Sequence, residues 1–177
     1  SEVIIALVPC IIMAGIAYGF IPVIVIMVAV GSAMLAEYLF SYIFLKNTDS
    51  IADGSSIVTG ILLAFTIGPF TPLYVVAFGG ATAVLFGKML WGGIGRNRFN
   101  PALVGREFMT IFFPAIMSSG AIWQDRSLVR IENITITGHE FFDDFIYKVS
   151  GAIGEYSPFF LVLGGAFLLL RNRISWH

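Results

Sequence analysis

Two asparagines, Asn97 and Asn100, lie three residues apart in a glycine-rich, basic stretch that covers residues 92–103. Phe99 lies between them and Pro101 follows directly. Each carboxamide can donate and accept a hydrogen bond, which suits the polar edge of a planar heteroaromatic ring such as an isoalloxazine. The simpler interpretation is a flexible turn whose arginines mark the cytoplasmic side of a membrane. The spacing alone leaves both interpretations open.

A second polar stretch, Asp53–Gly60, begins an apolar segment. Its small residues allow close packing against another helix, and Asp53 can cap the helix. Alternatively, the stretch is the start of a half-length helix whose free N–H groups face a polar ligand. Asp53 and Ser55 are therefore candidate binding residues.

Three carboxylates, Glu37, Glu107 and Glu155, lie within or beside apolar segments. A carboxylate at membrane depth is costly, so each is a candidate for an ion pathway. The simpler interpretation places them near the interface, each paired with a neighbour; Glu107 directly follows Arg106. Glu37, two turns from the end of its apolar segment, is the strongest of the three candidates.

The remaining metal and redox ligands are few. Cys10 is the only cysteine, and His139 and His177 are the only histidines. An internal disulfide is excluded, and an iron–sulfur cluster needs about four thiolates. We expect no metal site, and any redox role requires an organic cofactor. The net charge of −1 gives no indication of nucleic-acid binding.

The composition is that of a membrane protein, with 58% hydrophobic and 12% charged residues and a mean hydropathy of +0.90. Soluble domains carry about 25% charged residues. Because a bilayer span needs roughly 20 apolar residues and must satisfy its backbone internally, we expect about six transmembrane helices. The predicted spans are Val3–Phe20, Pro22–Leu45, Ser55–Phe70, Leu73–Trp91, Pro101–Met117 and Gly151–Leu170. The chain is thus predicted to be one all-α integral membrane domain over residues 1–177.

Charge sets the predicted orientation of these spans. Seven of the ten Lys and Arg residues fall on the side of residues 92–100, and three on the side of residues 118–149. The positive-inside rule makes the first side cytoplasmic and residues 118–149 an external loop. Within the loop, residues 129–137 alternate as a short strand would, and residues 141–147 form an amphipathic stretch. No basic region precedes Val3–Phe20, so we do not expect a signal peptide, but we do expect residues before Ser1.

Four motifs, in this order and spacing, resemble those of the NqrB/RnfD family, and RnfD more than NqrB. They are Asp53–Gly60, Gly93–Leu103, Ser150–Glu155 and Ile174–His177. The resemblance implies a membrane subunit of an ion-pumping oxidoreductase in a bacterial or archaeal cytoplasmic membrane, with other membrane and peripheral subunits as partners. It also implies the first part of a urea-channel-like inverted-repeat bundle of about ten helices. Either a second half lies outside these residues or the chain is a shortened relative.

The resemblance also implies flavins. A riboflavin would lie near Asn97 and Asn100, with Arg96 beside them. An FMN would be joined through its phosphate to a threonine in a Ser-Gly-Ala-Thr motif, which is missing here because Ile122 and Ile153 follow the Ser-Gly-Ala runs. Thr135 and Thr137 lie nearest the expected position of the threonine. We therefore expect a non-covalent flavin, riboflavin or FMN, and no covalent FMN.

The leading functional prediction is a subunit that positions a flavin and couples electron transfer to Na⁺ or H⁺ transport. On its own, this chain would not react with NADH, because no Gly-x-Gly-x-x-Gly follows a predicted strand. A channel-like bundle or a scaffold subunit without a redox cofactor is the alternative.

Overall fold

The computed structural model describes residues 2–46, 53–93, 95–123, 145–147 and 151–171. Within these ranges the chain is helical and contains no strand. A π-helical turn, Ser41–Leu45, continues the second helix, and 3-10 turns occupy Met89–Trp91, Gly120–Ile122 and Ile153–Glu155. The α-helices are α1 (Glu2–Tyr18), α2 (Ile21–Phe40), α3 (Ser55–Phe65), α4 (Leu73–Gly87), α5 (Pro101–Phe112), α6 (Pro114–Met117) and α7 (Pro158–Leu170).

Two helical segments are long and apolar enough to cross a membrane, namely Ile21–Phe44 and Leu73–Trp91. Three apolar helices, α1, α3 and α7, are shorter. With 11 residues, α3 extends for only about 16 Å, half the thickness of a hydrocarbon core. The all-helical class is confirmed for the described residues, while the count of six spans and the urea-channel-like bundle stay predictions. The predicted strand at 129–137 lies outside the described residues, as does most of the amphipathic stretch.

Two predicted spans are shorter than their apolar runs. α3 ends at Phe65 instead of Phe70: the Thr66 and Ile67 amides donate to carbonyl oxygens three residues back, which closes the last turn, and Pro69 has no N–H to continue the helix. The predicted span from Gly151 begins as α7 only at Pro158. Gly151 has a φ of +134° and the residue before Pro158 is extended, so a continuous helix is excluded.

The predicted span Pro101–Met117 is divided into α5 and α6 at Pro114. Proline lacks the N–H that would continue the ladder, and it disfavours a helical conformation in the residue before it. Phe113 accordingly has φ −128° and ψ 51°. Several helices are therefore much shorter than the apolar runs that contain them, and too short to cross a bilayer by themselves.

Glycines set the spacing between neighbouring helices. A Cβ on Gly60 of α3 would lie 2.6 Å from the Cα of Val30 on α2, and one on Gly105 of α5 would lie 2.6 Å from the Gly79 carbonyl oxygen on α4. Gly164 of α7 approaches Ala6 of α1 in the same way. The close packing predicted for the small residues of the third segment is confirmed at Gly60. Small residues at helix contacts are typical of membrane bundles.

Large apolar side chains cover much of the outer surface. On α1 they follow one stripe, Ile5, Val8, Ile12 and Ile16, with 60%, 41%, 56% and 41% of each residue exposed. A continuous apolar surface of this kind requires lipid or another protein against it. It agrees with a helical bundle that has its natural environment in a membrane.

Candidate functional site

A buried ion pair joins α2 to the end of α4. The Lys88 Nζ lies 2.6 Å from the Glu37 Oε1, and the two side chains are only 2% and 1% exposed. Buried charges are stable only when they are paired and hydrogen-bonded. The pair therefore constrains where α2 and α4 meet.

The beginning of α3 completes this cluster. The Ser56 hydroxyl donates to the Glu37 Oε2, and the Lys88 ammonium donates to the Ser55 hydroxyl. Asp53 lies slightly farther away, with its Oδ2 3.6 Å from the Lys88 Nζ, and is 31% exposed. Two chain segments, α2 and the start of α3, thus supply the polar partners of one buried lysine.

Lys88 is a residue of the candidate site that sequence reasoning missed, because the charge count places it simply among the cations of the cytoplasmic side. The available signal is its position inside the apolar run Leu73–Trp91, where a lysine needs a counter-ion just as a carboxylate does. Glu37, by contrast, is a candidate from sequence and is the partner of Lys88.

α3 begins in a conformation that glycine permits. Gly54 holds the N-cap position with φ +69°, in the left-handed region that side chains avoid. The Asp53 Oδ1 accepts a hydrogen bond from the Ser55 amide at 2.7 Å, but it does so from the position before the N-cap, so Gly54 and not Asp53 is the N-cap residue. The positive end of the helix dipole therefore lies beside Asp53 and the ion pair.

The asparagine turn is held by three glycines with positive φ, Gly92, Gly93 and Gly95. The Asn100 Oδ1 accepts from the Ala102 amide at 3.0 Å, so Asn100 is the N-cap of α5. The Asn97 Nδ2 donates to the Phe99 carbonyl oxygen at 3.0 Å. Within the described residues, the side-chain oxygen Oδ1 of Asn97 and the side-chain nitrogen Nδ2 of Asn100 form no hydrogen bond. One acceptor group and one donor group are thus available to a ligand.

The two sequence motifs meet at a cavity of about 360 Å³, called here the asparagine cavity. Its polar residues come from both motifs and from Lys88, and its apolar ones from α3 and the start of α5. The lining residues are Asp53, Gly54, Ser55, Val58, Thr59, Leu62, Lys88, Asn97, Asn100 and Pro101. Of the predicted cofactor residues, Asp53, Ser55, Asn97 and Asn100 are brought together.

Other predicted residues lie elsewhere. Arg96 is exposed and is not among the residues that line the asparagine cavity. Glu155 is exposed; its Oε2 accepts from the Ala152 amide at 3.2 Å, and it lines a second cavity of about 260 Å³. Glu107 is exposed on α5, away from both cavities. Thr135 and Thr137 lie outside the described residues.

The geometry of the asparagine cavity allows two kinds of chemistry. An apolar wall of Val58, Leu62 and Pro101 and two carboxamide groups line the same cavity, which suits a planar ring with a polar edge. The neighbouring cluster has two carboxylates against one ammonium, so it can also interact with a cation. No group of three or more potential metal ligands occurs in the described part of the chain.

Comparison with known proteins gives one family. The model of the NQR2, RnfD, RnfE family matches residues 1–177. The B subunit of a Na(+)-translocating NADH-quinone reductase from Ectopseudomonas mendocina is 36% identical over 92% of this chain. Its counterpart from Pseudomonas paraeruginosa is 39% identical over 68% of the chain. The D subunit of a proton-translocating ferredoxin:NAD(+) oxidoreductase complex from Clostridium ljungdahlii is 30% identical over 99% of it.

These relatives are longer than the chain, which covers 42%, 33% and 58% of their respective lengths. Identity is higher to the two quinone-reductase subunits and coverage is greater for the ferredoxin-complex subunit, so the matches do not separate the two branches. The match along the whole chain confirms the resemblance carried by the motifs. The chain belongs to the NQR2, RnfD, RnfE family.

Proposed function

We propose that the chain is part of a membrane subunit in an ion-translocating oxidoreductase complex of the Rnf or Nqr type, and that it holds a non-covalent flavin in the asparagine cavity. The observation that carries the proposal is the meeting of Asp53–Ser55 with Asn97 and Asn100 around one cavity. Relatives named as subunits of Na⁺- and proton-translocating redox complexes support the assignment to this kind of complex.

The residues present fit a flavin. The volume of about 360 Å³ lies within the range of roughly 300–1,000 Å³ that is usual for small-molecule sites. The Asn100 amide nitrogen can donate to the ring edge and the Asn97 carbonyl oxygen can accept from it. The apolar wall would contact the ring face. A bound flavin would supply one- and two-electron redox chemistry.

The buried cluster next to the cavity supports the ion-transport part of the proposal. Glu37 is the ion-pathway candidate, with one carboxylate oxygen held by Lys88 and the other by Ser56. With Asp53 included, the cluster carries one excess negative charge. A monovalent cation, Na⁺ or H⁺, would balance it. The exposed part of Asp53 would give such a cation access from the side on which α3 begins.

A second candidate function is a channel-like or scaffold subunit without a redox cofactor. The observation that favours this second function is the ion pair of Lys88 and Glu37. With its serine partners it joins α2, α3 and α4 without any ligand. In that case the asparagine cavity would hold water or a small polar solute. The two functions differ in whether flavin is retained.

Visible flavin absorbance of the purified complex, read after denaturation and removal of protein, tests the proposal. Asn97→Leu removes the free acceptor, and Asn100→Asp removes the free donor while keeping the oxygen that caps α5. Both variants should retain less flavin, because each removes one hydrogen bond to the ring edge, worth about 0.5–1.5 kcal/mol. Arg98→Gln, in the same turn but outside the cavity lining, is the control. Unchanged flavin content in both asparagine variants, or no flavin in the unmodified complex, would contradict the proposal.

A further inference from the structure

Glu107 lies level with the middle of a membrane-capable helix. α5 runs antiparallel to α4: Gly87 contacts Pro101, and Gly79 and Ala83 contact Gly105. The middle of the segment Leu73–Trp91 falls between Gly79 and Ala83. Glu107 follows Gly105 by two residues, about 3 Å along the helix axis. This placement sets its depth independently of the direction in which the chain crosses the membrane.

The carboxylate is on the outward face of α5. Ala102, Gly105 and Met109 form the buried face against the bundle. Leu103, Glu107, Thr110 and Ile111 are exposed on the opposite face, and Pro114 and Ser118, beyond the break at Phe113, are exposed as well. Leu103 and Ile111 are 49% and 69% exposed. The outward face of α5 therefore carries two large apolar side chains with a carboxylate and a hydroxyl group between them.

Arg106 adds a cation next to this face. It lines a cavity of about 430 Å³ together with Thr110, Ser118 and Trp123. In the described ranges neither Arg106 nor Glu107 forms an ion pair. The Thr110 and Ser118 hydroxyls donate to the Arg106 and Pro114 carbonyl oxygens, respectively.

Such a face does not suit lipid. Charged side chains at membrane depth face a protein interior or water, because hydrocarbon solvates neither carboxylate nor guanidinium. The outward stripe of α1 is the contrast, since Ile5, Val8, Ile12 and Ile16 are all apolar. Water is less suitable than a protein against the outward face of α5, because Leu103 and Ile111, on either side of Glu107, expose large apolar side chains.

We propose that the outward face of α5, together with the exposed residues Pro114 and Ser118 that follow it, is the docking surface for a transmembrane helix of a neighbouring subunit. That helix presents a hydrogen-bond donor or a cation to Glu107 and an acceptor or a carboxylate to Arg106, and its apolar side chains pack on Leu103 and Ile111. Relatives named as subunits of redox complexes supply the reason to expect a neighbouring subunit. The inference rests on the proposed membrane subunit, but it does not depend on flavin.

Photo-crosslinking in the intact complex tests the docking surface. A benzoylphenylalanine is introduced at Ile111 on α5 and, as the matched control, at Ile12 on α1, two apolar positions of similar exposure. Ile111 should give a covalent product with another subunit, identified by mass spectrometry, and Ile12 should give lipid adducts only. Lipid adducts alone at Ile111, or a product only within the same chain, would overturn the proposal.

A second measurement separates a protein contact from a water-filled path. Glu107→Leu should reduce the amount of co-purified partner roughly five- to thirtyfold, since polar contacts between membrane helices contribute about 1–2 kcal/mol in model peptides. Glu107→Gln, which keeps an acceptor, should retain more partner than Glu107→Leu. Rapid labelling of Glu107→Cys by a hydrophilic thiol reagent in the intact complex would indicate water and overturn the proposal. Flavin content of the same samples reports separately on the proposed function.

Discussion

The Lys88 ammonium and the Glu37 carboxylate lie 2.6 Å apart in the interior although 51 residues separate them in the chain. Lys88 follows the last residue of α4 and Glu37 lies in the last turn of α2. Ser55 and Ser56, at the start of α3, bind one partner each. The ends of three helices that line or adjoin the asparagine cavity are thus fixed to one another by a single charged pair.

The ion pair predicts strong energetic coupling between its two residues. Lys88→Met leaves the Glu37 carboxylate buried without its cation, which should lower the free energy of unfolding by about 3–5 kcal/mol. Glu37→Leu should destabilise similarly, whereas the double variant should lose far less than the sum, because no buried charge remains unpaired. Denaturant unfolding of the purified protein in detergent measures all three variants. Lys46→Met, at an exposed position, is the control. Additive losses would show that the pair does not form in the protein.

Local signals in the sequence were enough to predict where several helices begin. Asn100 before Pro101 indicates the start of α5, and Asp53 before Ser55 indicates the start of α3, because capping depends on residues next to each other. The helix boundaries inside apolar runs were harder to predict. α3 ends at Thr66 and α7 begins at Pro158, each within a run that hydropathy treats as continuous.

The candidate site could be predicted only in part for a related reason. The two motifs are recognisable in the sequence, but the cavity between them depends on how α3 packs beside α5, which no local pattern encodes. Lys88 was missed because its partner is distant in the chain. The sequence predicts that the Glu107 carboxylate costs free energy at membrane depth. Only the contact of Gly105 with Gly79 shows how deep Glu107 lies along α4, and only the packing of α5 shows that it lies on the outward face.

Two helical glycines should respond in opposite ways to the same substitution. A Cβ at Gly105 would lie 2.6 Å from the Gly79 carbonyl oxygen and 2.7 Å from the Ala83 Cβ, so Gly105→Ala should destabilise the protein by about 1–3 kcal/mol. At Gly31, on α2, nothing lies within 4 Å. Gly31→Ala should stabilise by about 0.5–1 kcal/mol, because alanine loses less backbone entropy in a helix. Thermal unfolding in detergent measures both. Equal effects at the two positions would contradict the packing of α4 against α5.

The orientation rests on the charge bias and is tested by labelling from outside the cell. In a background with the buried Cys10 replaced by alanine, a cysteine at Ser127 should react with an impermeant thiol reagent, since residues 118–149 are predicted to be external. A cysteine at Phe99, which is 64% exposed, should react only after the membrane is opened. The reverse pattern would invert the predicted topology.

Covalent attachment of FMN is the last prediction, and we expect none. A phosphoester needs a side-chain hydroxyl within a sequence that the attaching enzyme recognises, and isoleucine follows both Ser-Gly-Ala runs, at Ile122 and Ile153. The nearest hydroxyls to the expected position, Thr135 and Thr137, have no Ser-Gly-Ala beside them. Intact-mass spectrometry of the denatured protein should therefore give the mass of the unmodified chain. A gain equal to one FMN less water would contradict the prediction. Peptide mapping would then be expected to locate it on Thr137, because the glycine that follows leaves space for the phosphoester and permits an unusual backbone angle.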